Sequence, residues 1–598
     1  MRLHEGLIMI LGLISSIVTL VLPIVVVVWA VRHFGGRGGP RGTDGRGVRR
    51  FFQYLLLYAL MIVAAVGLSE LFGLLLEQPA LVGDDRTALA RALTFSVFGI
   101  PMFVLLAVWT RRHLRQDPDE ARSLGWAVYA TFAPLTALIV AMVALGELVS
   151  AALADQRFAG TALAQLVVWT GVWVAHWIVA TRMLDADRRQ GQLLLGSLIG
   201  LGTTITGLVW LLGASVRILL VDQPDTLLVG SQTPLAPAAA TLVVGAPVWV
   251  WYWLRHLAPS RRTPVWFAYV LPVGVGGSLV LAVVGASIAG YQLLVWLIGE
   301  PAAATAAQHF EGTPIAAACV VVGTVSWWYH RRVLAGATPE RTEVTRVYEY
   351  LMAGIALLAA AAGVAMVIVA LVESLLPEVV EFGTSVVNSL LAGVTLLLVG
   401  GPPWWVFWSR IGRATRTDDP DELGAPTRRL YLFVLFGLGG VAAVVSVLVA
   451  AFVAIQGILQ GGLDAQVVRD MRIPVAILLT AGAVSGYHWA VYRDDRSRLP
   501  APVPARGPRY VLLVGAPGGV DRGALERLTG ARVDVWVRAD GLAAPWVVDD
   551  VVAAVRGSAA EAVTVVAGPT GLEVVAMQRP GPLTGPGPLT GPVPQPTI

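Results

Sequence analysis

Four charged side chains, Glu70, Glu147, Arg217 and Glu373, interrupt runs that are otherwise apolar. An ionisable group deep inside a membrane segment is costly enough to point to ion or proton passage. A proton path would also want its acids on one face at mid-depth. These four fall near the ends of their runs, where a charge reaches water, and the centres of the runs carry none. His176 and His488 stand at related places, each followed by Trp, and a histidine repeated in register could ligate a metal. The other copies of the pattern show no histidine at that place, which argues against a repeated metal centre. The turn Gly515-Ala516-Pro517-Gly518-Gly519 joins a strand pattern to a helix pattern, a setting that can hold phosphate. It continues Val520-Asp521-Arg522 where a P-loop needs Gly-Lys-Ser/Thr, so Asp521 reads as a helix cap. No Ser/His/Asp set, His-Glu-x-x-His or Cys-x-x-Cys pattern occurs, and the sole cysteine, Cys319, sits in an apolar run. The expectation is a protein with no catalytic residues, cofactor or metal.

The elements that carry these groups are set by composition. Hydrophobic residues make up 56% of the 598-residue chain, charged residues 14%, and the mean hydropathy is +0.71. Soluble domains are about a quarter charged, so most of this chain faces lipid. The 43 basic residues are all arginine. Leu7 to Val31 is one apolar run, longer than the roughly 20 residues needed to cross a bilayer. It lacks the short core and cleavage site of a secretory signal and reads as a retained helix.

A signature then recurs six times, its copies 72 to 81 residues apart. Its fullest form is Gly401-Pro402-Pro403-Trp404-Trp405, followed by Trp408 and Arg410. Gly99 and Pro101 precede Arg111; Gly245, Pro247 and Trp249 precede Arg255. Gly171 and Trp173, Gly323 and Trp327, and Gly482 are looser versions, each followed by arginine. Each copy closes a pair of apolar helices, a longer one and a shorter one. The expected segments are an N-terminal helix with a basic loop at 1–47, then pairs at 48–120, 121–190, 191–260, 261–342, 343–425 and 426–498. The total is about thirteen transmembrane helices in an all-α polytopic membrane protein. In the signature, Pro bends the helix, Gly admits a neighbouring backbone, and Trp and Arg suit the membrane–water boundary. An aromatic belt with a packing kink is one reading of it, and a substrate-binding Trp-rich face is the other.

Arginines cluster after the second helix of each pair, as at Arg111, Arg112 and Arg115, or Arg410, Arg413 and Arg416. The intervening loops are acidic, with Asp84, Asp85, Asp222, Asp225, Glu378 and Glu381. Excess arginine marks the cytoplasmic face, so the N-terminus is expected outside and the C-terminus in the cytoplasm. The same arginines suit anionic lipid. Their separation by spans, without aromatic interleaving, argues against nucleic acid.

Beyond Arg498 the composition changes. A Pro-rich linker at 499–508 leads to a small α/β domain at 509–579, and the Pro/Gly tail at 580–598 reads as disordered. The domain's expected strands lie at Tyr510–Val514, Val533–Val537, Ala562–Val566 and Leu572–Met577, with helices at Val520–Thr529 and Trp546–Arg556.

The run Val48-Arg49-Arg50-Phe51-Phe52-Gln53-Tyr54-Leu55-Leu56-Leu57-Tyr58 resembles the opening of a bacterial membrane domain catalogued as Domain of Unknown Function 5671. Arg346-Val347-Tyr348-Glu349-Tyr350-Leu351 and Arg428-Arg429-Leu430-Tyr431-Leu432-Phe433 have the same look. The resemblance implies tandem paired helices from residue 48 to about 495 and supplies no activity. The second and third pairs depart from it, opening at Trp126 and Leu193 without the aromatic pair after Arg. The functional expectation is a membrane scaffold of the bacterial cytoplasmic membrane whose terminal domain docks a protein partner. The alternative is a transporter or channel using the helix-pair interfaces, with Pro272, Gly274, Gly276 and Gly277 as the candidate helix break.

Overall fold

A computed structural model describes residues 45–76, 85–117, 120, 123–154, 160–220, 235–335, 342–376, 385–416, 420–499, 508–516 and 522–577, apart from positions 541, 543, 559 and 570. The expected N-terminal helix, the acidic loop residues Asp84, Asp222, Asp225, Glu378 and Glu381, the linker, residues 517–521 of the Gly-rich turn and the tail lie outside the described residues. The chain divides into two compact units, Met1–Arg493 and Asp494–Ile598.

Twelve long helices make up the described part of the first unit. They are α1 (Gly45–Leu76), α2 (Asp85–Thr94, Phe95–Gly99 and Ile100–Gln116), α3 (Leu124–Leu153) and α4 (Gly160–Met183). Next come α5 (Ala186–Leu220), α6 (Leu235–Trp249 and Val250–Leu257), α7 (Pro264–Tyr269, Val270–Gly277 and Ser278–Ile298) and α8 (Thr313–Leu334). The last four are α9 (Glu343–Ser374), α10 (Val386–Ala414), α11 (Pro426–Gln460) and α12 (Ala465–Arg498). In lipid every backbone N–H must find a carbonyl within its own segment, so apolar runs of this length are held as helices. Ten of them are long and apolar enough to cross a membrane. The protein is a membrane protein. The exceptions are more polar: α8 ends on Trp327-Trp328-Tyr329-His330-Arg331-Arg332, and Arg469, Asp470 and Arg472 open α12. A 32-residue helix such as α1 rises about 48 Å, well beyond the roughly 30 Å hydrocarbon layer.

Three helices contain π-helical turns, at Phe95–Gly99, Val250–Leu257 and Val270–Gly277. Each lies beside or around a proline, at Pro101, Pro247 and Pro272 respectively. Proline cannot donate to the carbonyl four residues back, and a wider turn can take up such a missing bond, although Pro134, Pro402, Pro403 and Pro474 stand in ordinary α-helical turns.

The two helices of a pair pack antiparallel, and in several pairs very closely. A Cβ on Gly245 of α6 would stand 2.6 Å from the backbone nitrogen of Thr204 in α5; one on Gly400 of α10 would stand 2.6 Å from that of Ala360 in α9. Gly99 and Gly323 are similarly crowded, whereas Gly171, Gly401 and Gly482 meet nothing within 4 Å. The packing glycine of the fifth copy is thus Gly400, one position before the signature glycine Gly401. In the second and sixth copies the glycine has no packing role. One large buried cluster joins α3, α5, α6, α7 and α9 around Tyr252, Trp253, Leu257, Trp266, Tyr269, Val270 and Met352.

The second unit carries a four-stranded sheet of order β2-β1-β3-β4, with β1 (Tyr510–Gly515), β2 (Arg532–Val537), β3 (Ala562–Gly568) and β4 (Gly571–Met577). β1 pairs parallel with β2 and β3, and β4 returns antiparallel on β3. Period-2 alternation sends Val511, Leu513, Val533, Val563 and Val565 to one face. There they pack with Leu525 of α13 (Arg522–Thr529) and with Val551, Val552 and Val555 of α14 (Val548–Arg556).

Candidate functional site

The four charged residues inside apolar runs do not converge. Glu70 accepts from Arg91 Nε of α2 at 3.0 Å, and Arg217 meets Glu311 at 3.5 Å. Glu373 accepts from Arg469 Nε at 2.7 Å and forms an ion pair with Arg472 Nε at 3.3 Å, both on α12. Glu147 is exposed on α3, six residues before its end at Leu153. Each charge lies toward the helix end away from the arginine-rich turns, and three of them link one helix to another segment.

A more organised constellation lies at the arginine-rich ends. His176 of α4, His330 of α8 and His488 of α12 each hold Nδ1 against the carbonyl four residues back, at 2.8, 2.8 and 2.7 Å. A carbonyl only accepts, so Nδ1 carries the proton and Nε2 of the neutral ring is an acceptor. Each imidazole also faces a tyrosine from the helix before it. Tyr129 donates to His176 Nε2 at 2.8 Å, while the rings of Tyr269 and Tyr431 stand 5.8 and 5.7 Å from His330 and His488. His330 and His488 are 0% and 1% exposed, and their Nε2 atoms find no hydrogen bond among the described residues. The histidine therefore recurs in the second, fourth and sixth copies, not the second and sixth alone. His330 Nε2 and His488 Nε2 can each accept one hydrogen bond from a small donor such as water. Among the described residues no three His, Cys, Asp or Glu side chains are grouped to hold a metal ion.

The signature tryptophans supply hydrogen bonds as well as bulk. Indole N–H groups donate to phenol oxygens from Trp173 to Tyr252 at 2.8 Å, Trp253 to Tyr329 at 2.9 Å, Trp408 to Tyr487 at 2.7 Å and Trp249 to Tyr269 at 2.9 Å. Trp327 stacks under Arg331, 5.3 Å from the guanidinium, while Trp405 is 66% exposed.

At the same level a buried carboxylate clasps the start of the odd-numbered helix. Glu120, 1% exposed, accepts from Arg50 Nε at 2.8 Å, Arg49 Nη2 at 3.3 Å and the Tyr54 hydroxyl at 3.2 Å. Glu422 accepts from Arg346 Nη2 at 2.8 Å and Nε at 3.1 Å, and Arg428 Nη1 donates to Tyr350 at 2.9 Å. Both acids end the same tetrapeptide, Asp117-Pro118-Asp119-Glu120 and Asp419-Pro420-Asp421-Glu422. That recurrence was the available sequence signal for residues that motif reading missed.

The tyrosine–histidine pairs thus recur every four helices rather than every two, and the carboxylate clasps fall in the first and third of these four-helix units. Comparison with known families gives the same period. The family described as a domain of unknown function, DUF5671, matches residues 50–159, 192–324 and 346–514. The chain belongs to this family. Its three matches open near the starts of α1, α5 and α9, so the DUF5671 sequence recurs along the chain with the tyrosine–histidine pairs. Comparison with curated proteins and with solved structures returns no match.

In the second unit Gly515 sits under Trp546: a Cβ there would fall 2.4 Å from the indole, and Trp546 Nε1 donates to the Ala516 carbonyl at 3.2 Å.

Proposed function

We propose that this DUF5671 protein is a membrane scaffold of the bacterial cytoplasmic membrane, with its N-terminus outside and its C-terminal unit in the cytoplasm as a docking domain for a protein partner. The observation that carries the reading is the use made of charge. Glu70, Arg217 and Glu373 are engaged in ion pairs near helix ends, a use of charge that fastens helices together. Glycine contacts below 3 Å between neighbouring helices add rigidity of the kind a platform needs. On this reading the protein performs no catalysis, needs no cofactor, binds no nucleic acid and meets anionic lipid through its arginine-rich turns. Affinity capture of the full chain beside a chain lacking residues 506–579 tests it. A partner retained equally by both would overturn the docking role. Labelling of cysteines introduced near Arg112 and near Asp225 tests the orientation, and labelling from one compartment alone would refute it.

The second reading, a transporter, is favoured by one observation. Helix α7 is π-helical over Val270–Gly277, beside the unpartnered His330 Nε2, and wound-out turns of this kind are frequent at functional sites. Solute flux into liposomes carrying the protein, lost on Gly274→Leu, would favour it.

A further inference from the structure

The three four-helix units provide an internal comparison, and the middle one departs at a single place. The turns before α3 and α11 read Asp117-Pro118-Asp119-Glu120-Ala121-Arg122 and Asp419-Pro420-Asp421-Glu422-Leu423-Gly424; the turn before α7 reads Ala258-Pro259-Ser260-Arg261-Arg262. Counted back from Tyr129, Tyr269 and Tyr431, Ser260 takes the place of Glu120 and Glu422. The acids are gone, and Arg261 has arrived beside Arg262, whose place Arg122 holds in the first unit. Across from this turn, Gln190 replaces the clasping arginine, bonding the Thr263 hydroxyl and donating to the Arg261 carbonyl at 3.4 Å.

Arg189, the neighbour of Gln190, is left without a carboxylate among the described residues. Its guanidinium lies 5.1 Å from the centre of the Trp177 ring, and its buried Nε has no acceptor there. Asp185 and Asp187 are exposed on the same turn. Trp177 packs against Trp251 at 5.7 Å, and Arg255 lies 5.7 Å over Trp251. An arginine stacked on an indole keeps its in-plane N–H fork free for a bidentate oxyanion.

We infer that Arg189 and Arg255, on the shelf of Trp177 and Trp251, together with Arg261 of the turn that Gln190 bonds, form a phosphate-binding site particular to the middle unit. Its ligand is a phosphate group at the membrane boundary, either a lipid headgroup or a free phosphate. The inference does not rest on the scaffold reading. It is tested on the full chain in mild detergent by native mass spectrometry, with dihexanoyl-phosphatidylglycerol, dihexanoyl-phosphatidylcholine and inorganic phosphate as separate probes. At least one phosphatidylglycerol or one phosphate should be retained about tenfold better than by Arg189→Ala or by Arg261→Glu, as expected for the loss of one charge-assisted bond. Retention of phosphatidylglycerol alone identifies a lipid headgroup, and competition by inorganic phosphate identifies the free ion. Arg261→Glu also returns a carboxylate to this turn, so its unfolding midpoint should not fall, which separates lost binding from lost folding. Arg111→Ala, at another arginine-rich turn, should leave retention unchanged. Equal retention by wild type and both site variants, or equal retention of phosphatidylcholine, would overturn the assignment.

Discussion

Replacing the clasp of the first unit by that of the middle unit is the sharpest perturbation available. Glu120→Ser removes a 1% exposed carboxylate that takes hydrogen bonds from Arg50, Arg49 and Tyr54. Breaking a buried ion pair from one side costs about 3–5 kcal/mol, and the Arg50 side chain is 20% exposed, which favours the lower end, about 3 kcal/mol. At roughly 2 °C per kcal/mol for a large chain, the unfolding midpoint should fall by about 6 °C. Arg50→Gln alone strands Glu120 and should cost about 2–3 kcal/mol. The double variant Arg50→Gln/Glu120→Ser should recover most of the loss, to within about 1 kcal/mol of wild type. The middle unit already works this way: Gln190 bonds Thr263, the cap of α7. In the double variant the glutamine introduced in place of Arg50 would have Ser123, the cap of α3, as the matching partner. Tryptophan emission during thermal unfolding in detergent reads all four proteins. Additive losses in the double variant would refute the equivalence of the two clasps.

Gly400→Ala should destabilise by about 1–3 kcal/mol, since its Cβ would meet backbone atoms of Ala356 and Ala360 at 2.6–2.7 Å. The adjacent Gly401→Ala, with open space around it, should be neutral or stabilising by up to about 1 kcal/mol, and the same melting assay compares the two. Trp173→Phe removes the bond to Tyr252 that joins α4 to α6 and should cost about 1 kcal/mol. Trp405→Phe, on an exposed ring, should cost almost nothing. In the second unit, the Val533 amide and Arg522 hold the Glu526 carboxyl below the usual carboxylate range. Its contribution is therefore present above the ordinary carboxylate pKa of about 4.3 and is lost as pH falls through the lowered value. Amide exchange at Val533 should accelerate below that point in the wild type, and Glu526→Gln should remove the pH dependence.

Helix existence was the most legible property, because lipid allows no break in the backbone bonding of a crossing segment and so forces long apolar runs. Helix ends were less legible. Helix α5 starts at Ala186 rather than near Leu193, since its first turns are polar and pack against the turn before α7. The π-helical turns left no trace beyond their prolines. His330 escaped because its distance from the signature glycine is seven residues, against five for His176 and six for His488. Measured against the tyrosine each histidine faces, the relation is plain, but that partner sits 47 to 61 residues away. The clasp acids were visible as a repeated tetrapeptide, yet their role depends on arginines about 70 residues upstream in sequence.

The distribution of tight and loose contacts bears on which part of the molecule could move. Sliding a helix past its neighbour requires their backbones to separate wherever a glycine admits close approach. Such contacts occur at Gly67, Gly207, Gly245, Gly363, Gly393 and Gly400, each with a Cβ distance below 3 Å. They tie α1 to α2, α5 to α6 and α9 to α10, and the ion pairs of Glu70 and Glu373 secure the far ends of α1 and α9. Helix α7 is tied to α8 in the same way, at Gly285 and Gly323, and differs only in the turns before Ser278. Gly276 and Gly277 would meet their nearest atoms only at 3.2 and 3.8 Å, within a π-helical stretch whose backbone bonding is already widened around Pro272. Only Gly274 is closely held there, against the His330 ring. Among the described residues a conformational change would therefore concentrate at the Val270–Gly277 turns of α7, beside His330, while the glycine-tied pairs moved as rigid bodies.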